Sequence, residues 1–147
     1  MARRDDVSRL QGEIEELFDE LWQVPSFAGL RRGFRPQVDC FRTADPAELT
    51  VVVELPGVAP EDVEVVVRGR ELLIEGIRRR PSDDRRSYSR VEIEHGTFQR
   101  RIALGEDVDT AAAHTTFERG MLTIVLPVAP PQPVSVTQVS IEVRSRR

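Results

Sequence analysis

Along the first two dozen residues the apolar positions recur at helical spacing. Val7, Leu10, Ile14, Leu17, Leu21 and Val24 are separated by 3, 4, 3, 4 and 3 residues, which puts them on one face of a helix. Phe18 and Trp22 widen that stripe, and Glu13, Glu15, Glu16, Asp19 and Glu20 cover the opposite face. Pro25 ends the pattern. The stretch S-F-A-G-L-R-R-G-F-R-P that follows has no period but carries Phe27, Leu30 and Phe34. Two readings stay open for residues 1–36. The helix packs on its own domain, or it is an arm whose apolar side chains pack between subunits or on a partner.

From residue 37 the period changes to that of strands. Short apolar or alternating runs occur at 38–41, 49–55, 63–68, 72–77, 98–104, 115–118 and 121–126. Turn residues separate them, including P-G-V-A-P-E-D before Val63 and Arg119-Gly120 before Met121, a hairpin signal. Strands this short, with tight turns and no long helix between them, predict a β-sandwich over residues 37–128. The 20-residue gap from Ile77 to Thr97 is too long for a hairpin turn. It holds R-R-R-P-S-D-D-R-R and then S-Y-S-R-V-E-I-E, which alternates again, so a charged loop is expected to carry a further strand outward.

Residues 129–147 begin with A-P-P-Q-P. Proline lacks the N–H a sheet interior needs, so this is an extended linker. Beyond it V-S-I-E-V alternates Val139, Ile141 and Val143 with Ser140 and Glu142. Val134-Ser135-Val136 is a second apolar-x-apolar pair on the same tail.

Composition narrows the function. The 25 acidic and 21 basic residues leave a net charge of −4, which gives no reason to expect nucleic acid or an anionic membrane as partner. Asp83 and Asp84 interrupt the basic run, which reads as a solvated loop. All 21 basic residues are Arg. No run of 18 apolar residues occurs, and the N-terminus lacks an apolar signal core. One cysteine, Cys40, fits a reducing cytoplasmic location and is expected to be a packing residue.

Catalytic and ligand chemistry finds no support. The two histidines, His95 and His114, sit in no metal-spacing motif, and each is expected to point to solvent. Phosphate-cradling glycine motifs and G-x-S-x-G are absent from the sequence. The chain is therefore expected to be no enzyme and to need no cofactor or metal.

Several motifs together resemble one family. They are L-P-G-V at 55–58 with E-D-V at 61–63, Y-S-R-V-E at 88–92, G-T-F-Q-R-R at 96–101 and F-E-R-G-M-L at 117–122. Their order and spacing resemble the α-crystallin domain of small heat shock proteins of the bacterial and plant branch. Arm, domain and tail also follow the family's order. Leu104-Gly105 stands where the family often has Leu-Pro, and Ile141-Glu142-Val143 varies its usual Ile-x-Ile.

The resemblance implies an all-β, immunoglobulin-like sandwich with a helical arm and an extended tail. It implies ATP-independent holding of unfolding client proteins by a dimer-based homo-oligomer. It makes Ser87, Tyr88, Ser89, Arg90 and Val91 the strand exchanged between subunits, and Arg100 a dimer-interface arginine. It makes Val63, Val65 and Val67, facing Ala113, Thr115 and Phe117, the walls of a groove. Ile141 and Val143, with Val139 as a third contact, are then the plug another subunit inserts into it. Leu10, Ile14, Leu17, Phe18, Leu21, Trp22, Phe27 and Phe34 become the surface offered to clients. Two other classes are weighed. A co-chaperone on the same sandwich needs neither arm nor plug. An interfacial membrane helix is disfavoured by the acidic polar face of residues 13–20.

Overall fold

The computed structural model describes residues 33–131 and 133–144. The helix expected at 7–24, and with it Leu10, Ile14, Leu17, Phe18, Leu21, Trp22 and Phe27, lies outside the described residues. The strands are β1 (Val38–Ala44), β2 (Ala47–Glu54), β3 (Val63–Arg68), β4 (Glu71–Arg78), β5 (Gly96–Ala103), β6 (His114–Glu118), β7 (Met121–Pro127) and β8 (Val136–Val139). They form two antiparallel four-stranded sheets, ordered β1-β2-β7-β6 and β5-β4-β3-β8. A 3₁₀ turn at Pro60–Asp62 delivers the chain into β3.

The period-2 pattern explains the layering. Val51 and Val53 of β2 and Leu122, Ile124 and Leu126 of β7 face Val63, Val65 and Val67 of β3 and Leu72 and Ile74 of β4 in one core. All of these are 6% exposed or less. Removing such a side chain costs about 1.5–3 kcal/mol in transfer free energy before any cavity term. Val66 and Leu73 form a second, smaller cluster with Val136, on the outer face of the second sheet.

Two glycines are required by geometry. Gly120 has φ 77° behind Arg119 at φ 54°, the paired left-handed conformation of a type I′ hairpin. Gly76 lies where Asp62 and Phe98 press on β4. A Cβ there would come 2.1 Å from the Asp62 carbonyl oxygen and 2.7 Å from Phe98 Cζ.

Two expectations need correction. Residues 87–94 alternate in sequence, yet the described residues 79–95 contain no strand. Among the described residues no strand runs beside them, and Tyr88, Val91 and Ile93 stay exposed. The tail strand is Val136–Val139, pairing antiparallel with β3, and not a strand over 139–143. Beyond Val139 the tail keeps only an isolated parallel bridge from Val143 to Phe117.

Candidate functional site

The seam between β3 and β6 is built by the alternation on those strands. Val63, Val65 and Val67 point inward from β3, and Thr115 and Phe117 point inward from β6. Ala113 lies one residue before β6 and packs, partly buried, on the core. An apolar edge left open in this way is prone to pair with other chains.

Here the chain's own tail fills the seam. Val65 pairs with Val139, Val66 with Gln138, Val67 with Thr137 and Arg68 with Val136. The Gly69 N–H extends the ladder by donating to the Ser135 carbonyl (3.1 Å). The tail then crosses to β6. The Thr115 hydroxyl donates to the Ser140 carbonyl (2.8 Å) and accepts the Glu142 N–H (2.9 Å). The Phe117 N–H donates to the Glu142 carbonyl (2.9 Å). Thr115 is 1% exposed, so both bonds form away from water, where a missing partner is expensive.

The three apolar tail residues are not equivalent. Val139 is buried and Ile141 packs partly buried on the core, whereas the Val143 side chain is exposed. Val143 stands level with Phe117, next to the last residue of β6, where the groove ends at the hairpin. The side chains seated in the seam are therefore Val139 and Ile141, and Val134 is also exposed.

At the opposite flank β1 and β5 are the outer strands among the described residues. Between them lies an apolar recess of about 190 Å³, lined by residues including Cys40, Phe41, Leu49, Ile102 and Leu104. Cys40 lies on exposed β1, so it is not a core packing residue. Its thiol is pushed above the ordinary value, chiefly by desolvation, with Arg100 opposing. That is the reverse of an activated thiolate. The Arg100 guanidinium donates to the Pro36 carbonyl (2.7 Å). Desolvation and the neighbouring Arg35 both lower its pKa, so it lies in a setting that favours an added carboxylate.

The long loop is pinned by its charges. Arg79 pairs with Asp62 at 3.0 Å, and Arg85 and Arg86 pair with Asp83 at 3.1 and 3.6 Å. Arg80 stands 5.8 Å above the Tyr88 ring, and the Tyr88 phenol is held below its ordinary value, mainly by a hydrogen bond with Arg86. Arg90 pairs with Glu92 at 3.3 Å, while Ser87, Ser89 and Val91 are exposed. The Nδ1 atom of His95 lies 3.0 Å from the Ile93 carbonyl, and His114 is exposed. Among the described residues no cluster of three His, Cys, Asp or Glu could hold a metal ion, and no helix is long and apolar enough to cross a membrane.

Arg78 is a residue the sequence reading missed. It closes β4 on the inward register of Leu72, Ile74 and Gly76, and it is buried. That register is the signal that could have revealed it. Nε donates to the Glu94 carbonyl (2.8 Å), Nη2 reaches the same oxygen, and Nη1 reaches the Pro56 carbonyl (3.3 Å). Its guanidinium lies 3.5 Å from the centroid of Phe34, which packs edge-on against Phe98. Arg78 thus ties the root of the long loop, the turn after β2 and the start of the described chain. Arg78→Met is expected to cost about 2 kcal/mol through the stranded carbonyls. It should also raise tryptic cleavage at Arg79 and Arg85. Unchanged melting and unchanged cleavage would show that the clamp is idle.

A sandwich with a seam closed by an apolar-x-apolar tail and a long loop before β5 defines the class of small heat shock folds. The match to the family model confirms this. The Hsp20/alpha crystallin family model matches residues 42–143. The chain is 35% identical over 150 residues to "Alpha-crystallin" of Mycobacterium tuberculosis, covering 99% of each chain. Among solved structures it resembles heat shock protein 16.0 from Schizosaccharomyces pombe (TM-score 0.62, 27% identity, 68% of this chain and 92% of that one). It also resembles a small heat-shock protein from Xylella fastidiosa (TM-score 0.56, 32% identity, 67% of this chain and 90% of that one). The chain belongs to the Hsp20/alpha crystallin family, a family of chaperones and not of enzymes.

Proposed function

We propose that this protein is an ATP-independent holdase that binds unfolding proteins and keeps them from aggregating, acting as a dimer-based homo-oligomer in the reducing cytoplasm. The observation that carries this reading is the β3–β6 seam, an apolar edge that accepts an extended segment by ladder bonds, one buried side chain and one partly buried. Unfolding proteins offer segments of that kind. Holding needs binding alone, so no nucleotide chemistry is required.

The dimer contact of this proposal uses the long loop. Ser87, Tyr88, Ser89, Arg90 and Val91 are exposed, and among the described residues β1 is the outer strand of its sheet. A second copy's loop segment fits that edge, with Val91 and Ile93 directed at the recess beside Phe41. Arg100 then meets a carboxylate from the partner loop. The Xylella relative is described as having a distinct high order structure, and larger assembly of this chain through its tail is part of the same proposal. The arm, with Leu10, Ile14, Leu17, Phe18, Leu21, Trp22 and Phe27, supplies the apolar surface for clients, whereas Phe34, expected in the same surface, packs against Phe98 and the Arg78 guanidinium. The domain limits 1–36, 37–128 and 129–147 belong to the proposal as well.

Native mass and light scattering, with and without heat, test the reading together with aggregation of a heat-denatured model client. A shift in particle size with suppressed client aggregation in the absence of ATP is expected. A monomer that leaves client aggregation unchanged refutes it.

A further inference from the structure

We propose that the charged loop after β4 is an electrostatic clip for the chain's own arm: Arg80, Arg85 and Arg86 receive the carboxylates of Glu13, Glu16 and Glu20 and hold the arm with its apolar stripe turned outward. The use of the clip rests on the reading of the arm as the client surface. The contact itself does not.

The first support is charge. Residues 79–86 carry four arginines against Asp83 and Asp84, a net of +2 in a chain of net −4. Residues 10–24 carry five carboxylates, all between Glu13 and Glu20, and no basic residue, a net of −5. Within the loop, Asp83 is shared by Arg85 and Arg86, at 3.1 and 3.6 Å, and the Arg85 side chain is still 91% exposed. Arg80 donates to the Ile93 carbonyl (3.2 Å) and stands 5.8 Å above the Tyr88 ring. A guanidinium has five N–H donors in a planar fork, so these contacts leave donors for a further carboxylate. On the helix that the spacing of residues 7–24 predicts, the acidic face lies opposite Leu10, Ile14, Leu17 and Leu21. Docking that face therefore covers none of the stripe.

The second support is the place where the described chain begins. The Phe34 N–H donates to the Thr97 carbonyl (3.1 Å), just past the end of the loop. The Phe34 ring lies under the guanidinium of Arg78, the last residue before the loop. The arm thus joins the domain between the two roots of the loop. Glu20 and Gly33 are 13 residues apart, a span of up to about 45 Å when extended. The 17 residues of 79–95 go out and return, so the loop reaches at most about 30 Å from its roots. The acidic face can therefore meet its own loop, at an effective concentration on the order of millimolar. A single exposed ion pair is weak and screened by salt. Several on one tether hold the arm, and ionic strength releases it.

The sequence supplies its own probe pair. Tyr88 in the loop is the one tyrosine and Trp22 in the arm the one tryptophan. Energy transfer from Tyr88 to Trp22, read from the tryptophan excitation spectrum of the full chain, reports the docked arm. Transfer at low salt that fades toward about 1 M salt, where the screening length is about 3 Å, is the expected result. Glu13→Arg with Glu16→Arg and Glu20→Arg should weaken docking about tenfold. Adding Arg80→Glu, Arg85→Glu and Arg86→Glu should restore it. Transfer that ignores both salt and the arm reversal overturns the clip, and so does its absence from the unaltered chain. If the loop reversal fails to fold, the arm reversal, which leaves the sandwich sequence untouched, decides alone. Trp22→Phe and Tyr88→Phe chains refolded together hold donor and acceptor on different copies. Loss of transfer in that mixture supports the own-chain contact, and transfer of comparable strength overturns it in favour of a neighbour's arm. Client aggregation is scored in parallel. A failed clip with clients still protected strikes this inference and keeps the holdase reading, whereas a working clip with clients unprotected strikes that reading alone.

Discussion

Serine at both Val139 and Ile141 opens the seam. Each side chain contributes about 1.5–3 kcal/mol when fully buried, and Ile141 is only partly buried. The pair together is therefore worth about 3–4 kcal/mol, a population change of roughly 10²–10³-fold. The change has an address within β3. By the alternation of an antiparallel ladder, the amides of Val65, Val67 and Gly69 face β8, while those of Glu64, Val66 and Arg68 face β4. Hydrogen exchange should speed up at the first set and stay slow at the second. Uniform acceleration along β3 would mean that the sheet itself had failed and that the tail was not a separable element. Serine at Val134 and Val143, both exposed, should change exchange by less than about twofold, as surface substitutions do. If the tail also bridges copies, native mass falls toward the dimer with the first pair and holds with the second.

The contrast between these two pairs shows where the sequence was legible. Strands β2, β3, β4 and β7 were readable as short apolar, β-branched runs bounded by turns, with period 2 surviving in V-E-V of β3 and L-T-I-V-L of β7, whose inward residues meet the opposite sheet. The tail deceived for a physical reason. V-S-I-E-V alternates, but its residues serve two different edges, Val139 on β3 and Glu142 on β6. The true strand V-T-Q-V has its apolar residues three apart, because Val136 packs on the outer cluster while Val139 enters the core. No single-face pattern can find such a strand. The loop S-Y-S-R-V-E-I-E shows the converse case, where alternation is present but among the described residues no strand runs beside it. Arg78 was hidden by its chemistry, since a guanidinium at the end of an apolar run reads as the first exposed residue. The groove residues Val63, Val65, Val67, Thr115 and Phe117 were legible from alternation plus family resemblance. That the chain's own tail closes them was not, because sequence spacing does not say whose edge a strand will reach.

The largest loss of stability is expected from a single methyl group. Gly76→Ala puts a Cβ 2.1 Å from the Asp62 carbonyl oxygen and 2.7 Å from Phe98 Cζ. Neither neighbour can retreat easily. Asp62 is held in the 3₁₀ turn by its N–H bond to the Ala59 carbonyl and by the Arg79 ion pair, and the next residue, Val63, is the cross-strand partner of Gly76 itself. Phe98 is buried under Phe34. Overpacking of a core typically costs about 1–3 kcal/mol, and a backbone obstacle places this site at about 3 kcal/mol or above. For a domain of this size, about 4–8 °C of melting temperature is lost per kcal/mol, so a drop of roughly 15 °C is expected at fixed protomer concentration. Gly105→Ala is the matched control. It meets nothing within 4 Å, yet its φ of 77° is left-handed, so its cost is the αL penalty alone, about 1–2 kcal/mol. Melting by circular dichroism separates the two. A Gly76→Ala protein that melts no lower than the Gly105→Ala protein would mean that β4 can shift away from the 3₁₀ turn. The tight contact that sets the start of β3, and with it one wall of the seam, would then not be required.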